Sequence, residues 1–530
     1  MPRESREKIS GNRPKTFWRG LVLAVLATAL CLIPYFFLPA GRIYAQSPRE
    51  TSASRTEGNA LPAALQKAPE LPLLYFGVKA CATAGCHEKG QTADPPLLCR
   101  CDEMDRWKEK DKHADAFAAL TGELGQSMLK KLKLESPLKA TACLACHSLI
   151  VEKGAQVHDT FEYKDGISCV VCHGAHEAWV GKHSLVLSRK EFRGLDRQTK
   201  ETKYGMTDLW NPVRRAQLCA SCHIGNQAQG KFVTHEMYAA GHPPLPGFEI
   251  TTFSDQMPRH WQYLREKPKE VQKIQGYSDQ VWEKTQLLLV GSAVGLAESM
   301  RLLEAQAADA LKSNQGLDWA NFDCFACHHE LRAPSWRQTR GDGYRPGRVP
   351  MKSWPGILTR VVSELASQEE APAAGQTPTW VQLEKNLREA FVVRPFGDLA
   401  KIQLHAGAWA RRADDLAVRT AKLPCGPPQM EKALKLLPDL LAERLADYDS
   451  ARQAAWALTV FRGEEKSILN NDRADLDRLL LEVEKDLALQ LPAGRKESIV
   501  LRQGELLRTL YAYDPEKFLL WMGKVKKSLK

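Results

Sequence analysis

The apolar positions of this 530-residue chain change character along its length. An apolar run from Leu21 to Leu38 follows Arg3, Arg6, Lys8, Arg13, Lys15 and Arg19. A run of about 18 residues behind a basic flank suits either an export signal or one membrane-spanning helix, with the basic side held in the cytoplasm. Ala45 offers a cleavage point after Ile43-Tyr44, so residues 1–45 read as a signal sequence or as an N-terminal membrane anchor. Residues 46–72 are rich in Ser, Thr, Ala, Pro and charge without a sustained apolar period, and read as a flexible tether.

From 73 to 355 the pattern is irregular except in one stretch. Between Ser278 and Leu311, the residues Leu289, Ala293, Leu296, Met300, Leu303, Ala307 and Ala310 recur in steps of four and three, which predicts a long helix. Gly291 and Gly295 interrupt its first half. Residues 356–379, with the run Glu369-Glu370-Ala371-Pro372-Ala373-Ala374-Gly375-Gln376-Thr377-Pro378, read as a linker. Beyond it the helical period returns, as in Leu434, Leu437, Leu441 and Leu445, or Leu476, Leu479, Leu480, Val483 and Leu487. Pro438 would start or kink the first of these helices. Residues 380–530 therefore predict a helical bundle; coiled packing against a partner is the alternative.

The chemistry lies in the irregular stretch. Four C-x-x-C-H signatures occur, Cys143/Cys146/His147, Cys169/Cys172/His173, Cys219/Cys222/His223 and Cys324/Cys327/His328, and a fifth, Cys81/Cys86/His87, has four residues between its cysteines. With 14 Cys and 14 His, chance placement gives about 0.01 such matches in the chain. Two thiols on one turn of chain reach the two vinyl groups of a haem and bond to them as thioethers, and the adjacent His supplies the proximal iron ligand. The small residues Ala82, Thr83, Ala84 and Gly85 allow the longer loop of the fifth. A zinc knuckle or a redox dithiol would not need a His after every second Cys. The expected cofactor is five covalently attached haem c groups, and the fold class is mainly α: a multihaem cytochrome c domain of short helices and long loops over 73–355, followed by the helical bundle.

Covalent haem attachment and an export signal agree on a site outside the cytoplasmic membrane, the periplasmic side. The formal charge of +11 is largely offset by the two propionates of each haem, so charge implies no nucleic-acid partner. Cys99 and Cys101 lie outside the motifs and would pair with each other or one of them with Cys425 in an oxidising compartment.

Each iron has a sixth position, and nine histidines lie outside the motifs. His113 sits on a helix with Phe117 one turn on, His183 follows Trp179 at one-turn spacing, and His235 and His242 flank a short helix ended by Gly241 and two prolines. These four are the candidate distal ligands. His176 and His329 follow proximal ligands too closely to reach the far face of the same iron, and His158, His260 and His405 rank behind them. Met206, Met237 and Met257 are alternative ligands that would raise the potential. Two imidazoles per iron suit electron transfer between a redox donor and an acceptor. The alternative is an oxidoreductase acting on a small nitrogen or sulfur compound at one open haem.

The series Tyr75-Phe76-Gly77, Trp107, Asp111-Lys112-His113-Ala114, Cys143-Leu144-Ala145-Cys146-His147, Gly166-Ile167-Ser168-Cys169-Val170-Val171-Cys172-His173-Gly174, Trp179 and His183 resembles the cytochrome c-554 family of multihaem cytochromes over roughly residues 72–225. That family comprises periplasmic electron carriers that accept electrons from hydroxylamine oxidoreductase. The resemblance implies that His113 and His183 are distal ligands, and that the haem of Cys143 and Cys146 lacks a strong sixth ligand. The lengthened first motif, the fifth motif and the added helical region depart from the family, so partner and substrate do not transfer with it.

Overall fold

The computed structural model describes residues 73–82, 86–88, 101–329, 333, 347–367, 378–442, 447–488, 508–510 and 512–529. The apolar run 21–38, the tether and the core of the linker at 368–377 lie outside these residues, as does Cys99. Residues 61–530 belong to one compact unit. It is mainly α, as the sequence predicts. Among the described residues the one sheet is a pair of two-residue parallel strands, β1 (Leu74–Tyr75) and β2 (Gln156–Val157).

The four C-x-x-C pairs lie on helices rather than ahead of them, whereas Cys86 and His87 of the first motif lie outside any helix. Cys81 is on α1 (Val78–Ala82), and α2 (Thr141–His147), α3 (Cys169–His173), α4 (Pro212–His223) and α5 (Cys324–Cys327) carry the four C-x-x-C pairs. A helix turns once every 3.6 residues, so thiols three apart share one face. Local caps start several of these turns. Asn211 accepts from the amides of Val213 and Arg214 with Pro212 in the first turn, and Asp323 accepts from Phe325 N–H.

The long helix predicted at 278–311 is α6 (Glu283–Ser313), ended by Asn314 in the left-handed region at φ 53°. All seven periodic residues from Leu289 to Ala310 are buried. Gly291, which by propensity weakens a helix, is needed for packing: a Cβ there would stand 2.3 Å from Ile250 Cγ2 on α7 (Ile250–Gln256). The helix is long and apolar enough to cross a membrane, yet most of its apolar stretch is buried within the protein. Its main neighbour is α8 (Leu399–Thr420), which contributes Ile402, Ala406, Trp409, Ala410 and Ala413 to the same core as Leu296, Met300 and Leu303. Each large side chain buried here contributes about 1.5–3 kcal/mol.

The C-terminal region is helical, with Trp380–Val392, α8, Pro427–Ala442, Tyr448–Leu469, Ala474–Asp486 and Pro515–Ser528. Pro438 lies inside the helix Pro427–Ala442. Two sequence expectations change. Residues 356–367, expected to open the linker, lie in the helix Trp354–Ser367 with Leu358, Val361, Val362 and Leu365 buried. The C-terminal helices also do not close on a core of their own, because Val213, Ala216 and Ala220 of α4 cluster with Leu434, Leu458 and Phe518. An amphipathic helix buries its stripe against whatever surface topology offers, and here that surface is chiefly α6 and the helix Trp354–Ser367.

Candidate haem-iron centres

Four of the five motif histidines face another imidazole, and in each case the partner is a candidate distal ligand. Ring centroids are 5.8 Å apart for His87 and His183, 6.2 Å for His223 and His113, 6.3 Å for His147 and His242, and 6.3 Å for His328 and His235. An imidazole nitrogen binds a first-row metal ion at about 2 Å, so two rings on opposite sides of one ion stand roughly 6 Å apart between centroids. The four pairs have that spacing. His87 and His183 bring their Nε2 atoms to 3.5 Å, about half an ångström closer than two such bonds in line would set them. The ring planes are near parallel in the His87 and His328 pairs, at 20° and 23°, and near perpendicular in the His223 and His147 pairs, at 85° and 81°.

The second ring nitrogen is held in several of these residues. Nδ1 of His87 bonds Glu103 Oε2 at 2.9 Å, that of His113 bonds Asp111 Oδ1 at 3.0 Å, that of His147 donates to the Ala116 carbonyl at 2.8 Å, and that of His242 donates to the Pro243 carbonyl at 2.7 Å. A held Nδ1–H fixes the tautomer and leaves Nε2 with its lone pair, the arrangement metal-bound histidines adopt. Glu103 did not stand out in the sequence, and Asp111 entered only as part of the segment Asp111-Lys112-His113-Ala114, with no role of its own. Only the Asp-x-His spacing of Asp111 and His113 signals the second of them.

The chain builds these pairs through short local ties. Trp107 Nε1–H donates to the Ile167 carbonyl at 3.1 Å, and Ile167 N–H donates to the His113 carbonyl at 3.0 Å, which docks the His113 turn on the third motif. Gly166 has φ 63°, and a Cβ there would stand 2.5 Å from the His113 carbonyl oxygen, so a side chain is excluded on both counts. Trp179 donates to the Gly174 carbonyl at 2.9 Å and its ring lies 5.9 Å from that of His183. His235 starts the helix α9 (His235–Ala240), Thr234 caps it, and the amide of His235 donates to Asp318 at 3.0 Å beside the fifth motif. His223 stacks on Phe248 at 5.2 Å and 12°.

Burial pushes the imidazoles of His173 and His223 down to about 4, so both are neutral near pH 7, the form that ligates a metal. Burial also lowers His242. At His87 burial acts in the same direction, but the Glu103 carboxylate outweighs it and raises that group.

The thiols of different motifs approach one another. Cys81 and Cys169 lie within hydrogen-bonding reach, as do Cys146 and Cys222, and Cys172 lies in the field of Cys219 and Cys222. Cys86 and Cys219 are partly buried, whereas Cys324 and Cys327 are exposed. Cys425 is buried and its thiol donates to the Thr420 carbonyl.

One inherited expectation is reversed. The resemblance implies a weak sixth position at the haem of Cys143 and Cys146, yet His242 faces His147. It is His173, in the third motif, that makes no imidazole contact of this kind among the described residues. The remaining histidines are placed otherwise. His158 packs on Phe76 and bonds Thr160, and His176 is buried against Gly205.

No curated protein and no solved structure matches the chain. Residues 80–174, which hold the first three motifs and His113, match the family model for cytochrome c554 and c-prime. Over that stretch the chain is similar to a family of c-type cytochromes, which bind haem covalently.

Proposed function

We propose that the protein is a pentahaem electron-transfer cytochrome, exported to the periplasmic side of the cytoplasmic membrane and passing electrons from a redox donor to an acceptor. The observation that carries this reading is the set of four facing imidazole pairs, each uniting a motif histidine with one from elsewhere in the chain. When bound, the haems supply reversible one-electron chemistry. At four of the five motifs the facing imidazoles would hold the iron from both sides, which favours electron exchange over binding of a small molecule. Residues 1–45 either anchor the protein in the membrane or are removed on export, and 46–72 tether the compact unit.

The proximity of the motifs supports a continuous relay. The first lies beside the third through Cys81 and Cys169, the third beside the fourth through Cys172 and Cys219, and the fourth beside the second through Cys222 and Cys146. Helix α9 then links the second and fifth, since His242 just beyond it faces His147 while His235 at its start faces His328.

The rival reading, an open iron acting on a small nitrogen or sulfur compound, is favoured only by the unpaired ring of His173. Steady-state assays with nitrite and hydroxylamine, run beside stopped-flow exchange with small redox dyes, test the two. Fast dye exchange with negligible turnover is expected. Sustained turnover that cyanide abolishes would overturn the carrier reading.

A further inference from the structure

The fifth motif differs from the others in what covers its imidazoles. His328 is exposed, as are Cys324 and Cys327, whereas the histidines of the other four motifs are half-buried. Aromatic rings lie against the other facing pairs too, but there they are covered. Trp179 and Phe192 beside His183 and Phe248 beside His223 are buried, and Tyr238 beside His242 is half-buried. The ring against His235, the partner of His328, is Trp319, 5.2 Å away at 68°, and Trp319 is 59% exposed. Phe396, 46% exposed, stacks on Trp319 at 6.2 Å and 13°.

The chain holds these two rings at the surface by specific ties. Asp318 accepts from the amides of His235 at 3.0 Å and Ala320 at 2.8 Å, which fixes the Trp319 turn to the start of α9, and Asn321 donates to Gln306 on α6 at 2.7 Å. Phe396 has φ 66°, a left-handed conformation that a bulky side chain adopts only where its surroundings impose it. Its ring stands 5.9 Å from that of Phe322, which is itself buried against Phe391. Single exposed apolar side chains are ordinary, but two large aromatics stacked together in solvent mark a contact surface.

The charges beside this pair favour neither sign. Arg394 stands 3.9 Å from Asp398, and Asp318 and Asp323 accept from backbone amides. Lys401 and Glu236, one of each sign, are exposed. An incoming surface therefore meets an apolar centre with a balanced rim.

We propose that Trp319 and Phe396 form the docking face through which the protein exchanges electrons with a one-electron redox protein that carries an apolar surface over its own cofactor. The assignment rests on the five-haem relay proposed above, of which the fifth haem is one end. One electron leaves the ferrous iron at His328 and reduces the partner's oxidised cofactor, leaving ferric iron, and no bond forms or breaks. A face of two aromatic rings suits the small, transient encounters of redox proteins.

The test uses the full-length protein with its haems attached and reduced. An oxidised blue-copper protein serves as the acceptor and a small neutral quinone as a probe that needs no docking face, both followed by stopped flow. Trp319→Ala and Phe396→Asn should each slow reduction of the copper protein by about tenfold or more, the loss expected for one central aromatic contact. Reduction of the quinone should not change. Raising the salt from about 10 mM to 0.5 M should alter the wild-type rate less than about twofold, because charge does not steer an apolar contact. Asn tolerates the left-handed region and Phe396 touches no imidazole, so Phe396→Asn carries the test if Trp319→Ala loses its low-spin haem. Copper-protein rates unchanged by Phe396→Asn overturn the assignment. So does a loss that the quinone shares, which traces to the haem and not to docking, or a wild-type rate that falls steeply with salt. Mass analysis of the Cys324–Cys327 peptide separates the two readings. A peptide lacking haem sinks the five-haem relay and this face together, whereas attached haem with unaltered rates sinks the face alone.

Discussion

The rings of His147 and His242 stand 6.3 Å apart at 81°, and each donates its Nδ1–H to a backbone carbonyl, Ala116 for the first and Pro243 for the second. Each bond fixes its ring in the tautomer that leaves the lone pair on Nε2. On the five-haem reading, the second haem would find an imidazole on each side. His242 comes from the turn that ends α9, beyond the segment that matches the family model. Replacement of His242 by Ala should convert one low-spin haem to high-spin with no loss of covalent haem. Paramagnetic resonance of the ferric protein checks this, and an unchanged low-spin complement would show that His242 does not ligate.

His113→Ala and His183→Ala should each do the same at a different haem, because only the sixth ligand is removed from the pairs with His223 and His87. If the pairs are independent, the double variant shows two high-spin haems. Integration of the high-spin signal decides the count.

The carboxylates behind the ligands tune them. Asp111→Asn leaves His113 in place but replaces a charged acceptor at 3.0 Å with a neutral one, making the imidazole a weaker donor to ferric iron. The potential of that haem should rise by something on the order of tens of millivolts while its spin state is kept. Glu103→Gln should act likewise on the haem of His87. A redox titration that leaves all midpoints unmoved would contradict the role given to these carboxylates.

Mass measurement of the denatured mature protein tests the stoichiometry. It should exceed the polypeptide by five haem groups, and Cys81→Ser with Cys86→Ser should remove one. Four groups in the unaltered protein, with free thiols at Cys81 and Cys86, would show that the lengthened motif attaches no haem.

Arg301 joins α6 to α8 by pairing with Glu298 and, at 2.5 Å, with Asp414. Both carboxyls are buried, and burial raises both above their ordinary values. Arg301→Leu would leave two buried charges unpaired, a loss of about 3–5 kcal/mol at neutral pH. The folded state of the variant holds these protons more tightly than the unfolded chain. Its stability should therefore recover as the pH falls through the raised values and decline as the pH rises through them. Calorimetry of both proteins across that range checks the sign, and a deficit that grows on acidification would refute the pairing.

What was legible in the sequence was local. Thiol spacing and the following His are set within one helical turn, so the motifs and their proximal ligands could be read directly. The step pattern from Leu289 to Ala310 marked α6 for the same reason, because a period of 3.6 is a property of the helix alone. Tertiary structure decided which imidazole stands opposite which. The two rings of each pair are far apart in sequence, and no spacing rule connects His147 with His242 or His87 with His183. Long-range packing also set the roles of Glu103 and Gly291, and made the C-terminal helices share a core with α4 instead of forming their own. Periodicity states that a face is apolar; only the fold states what that face meets.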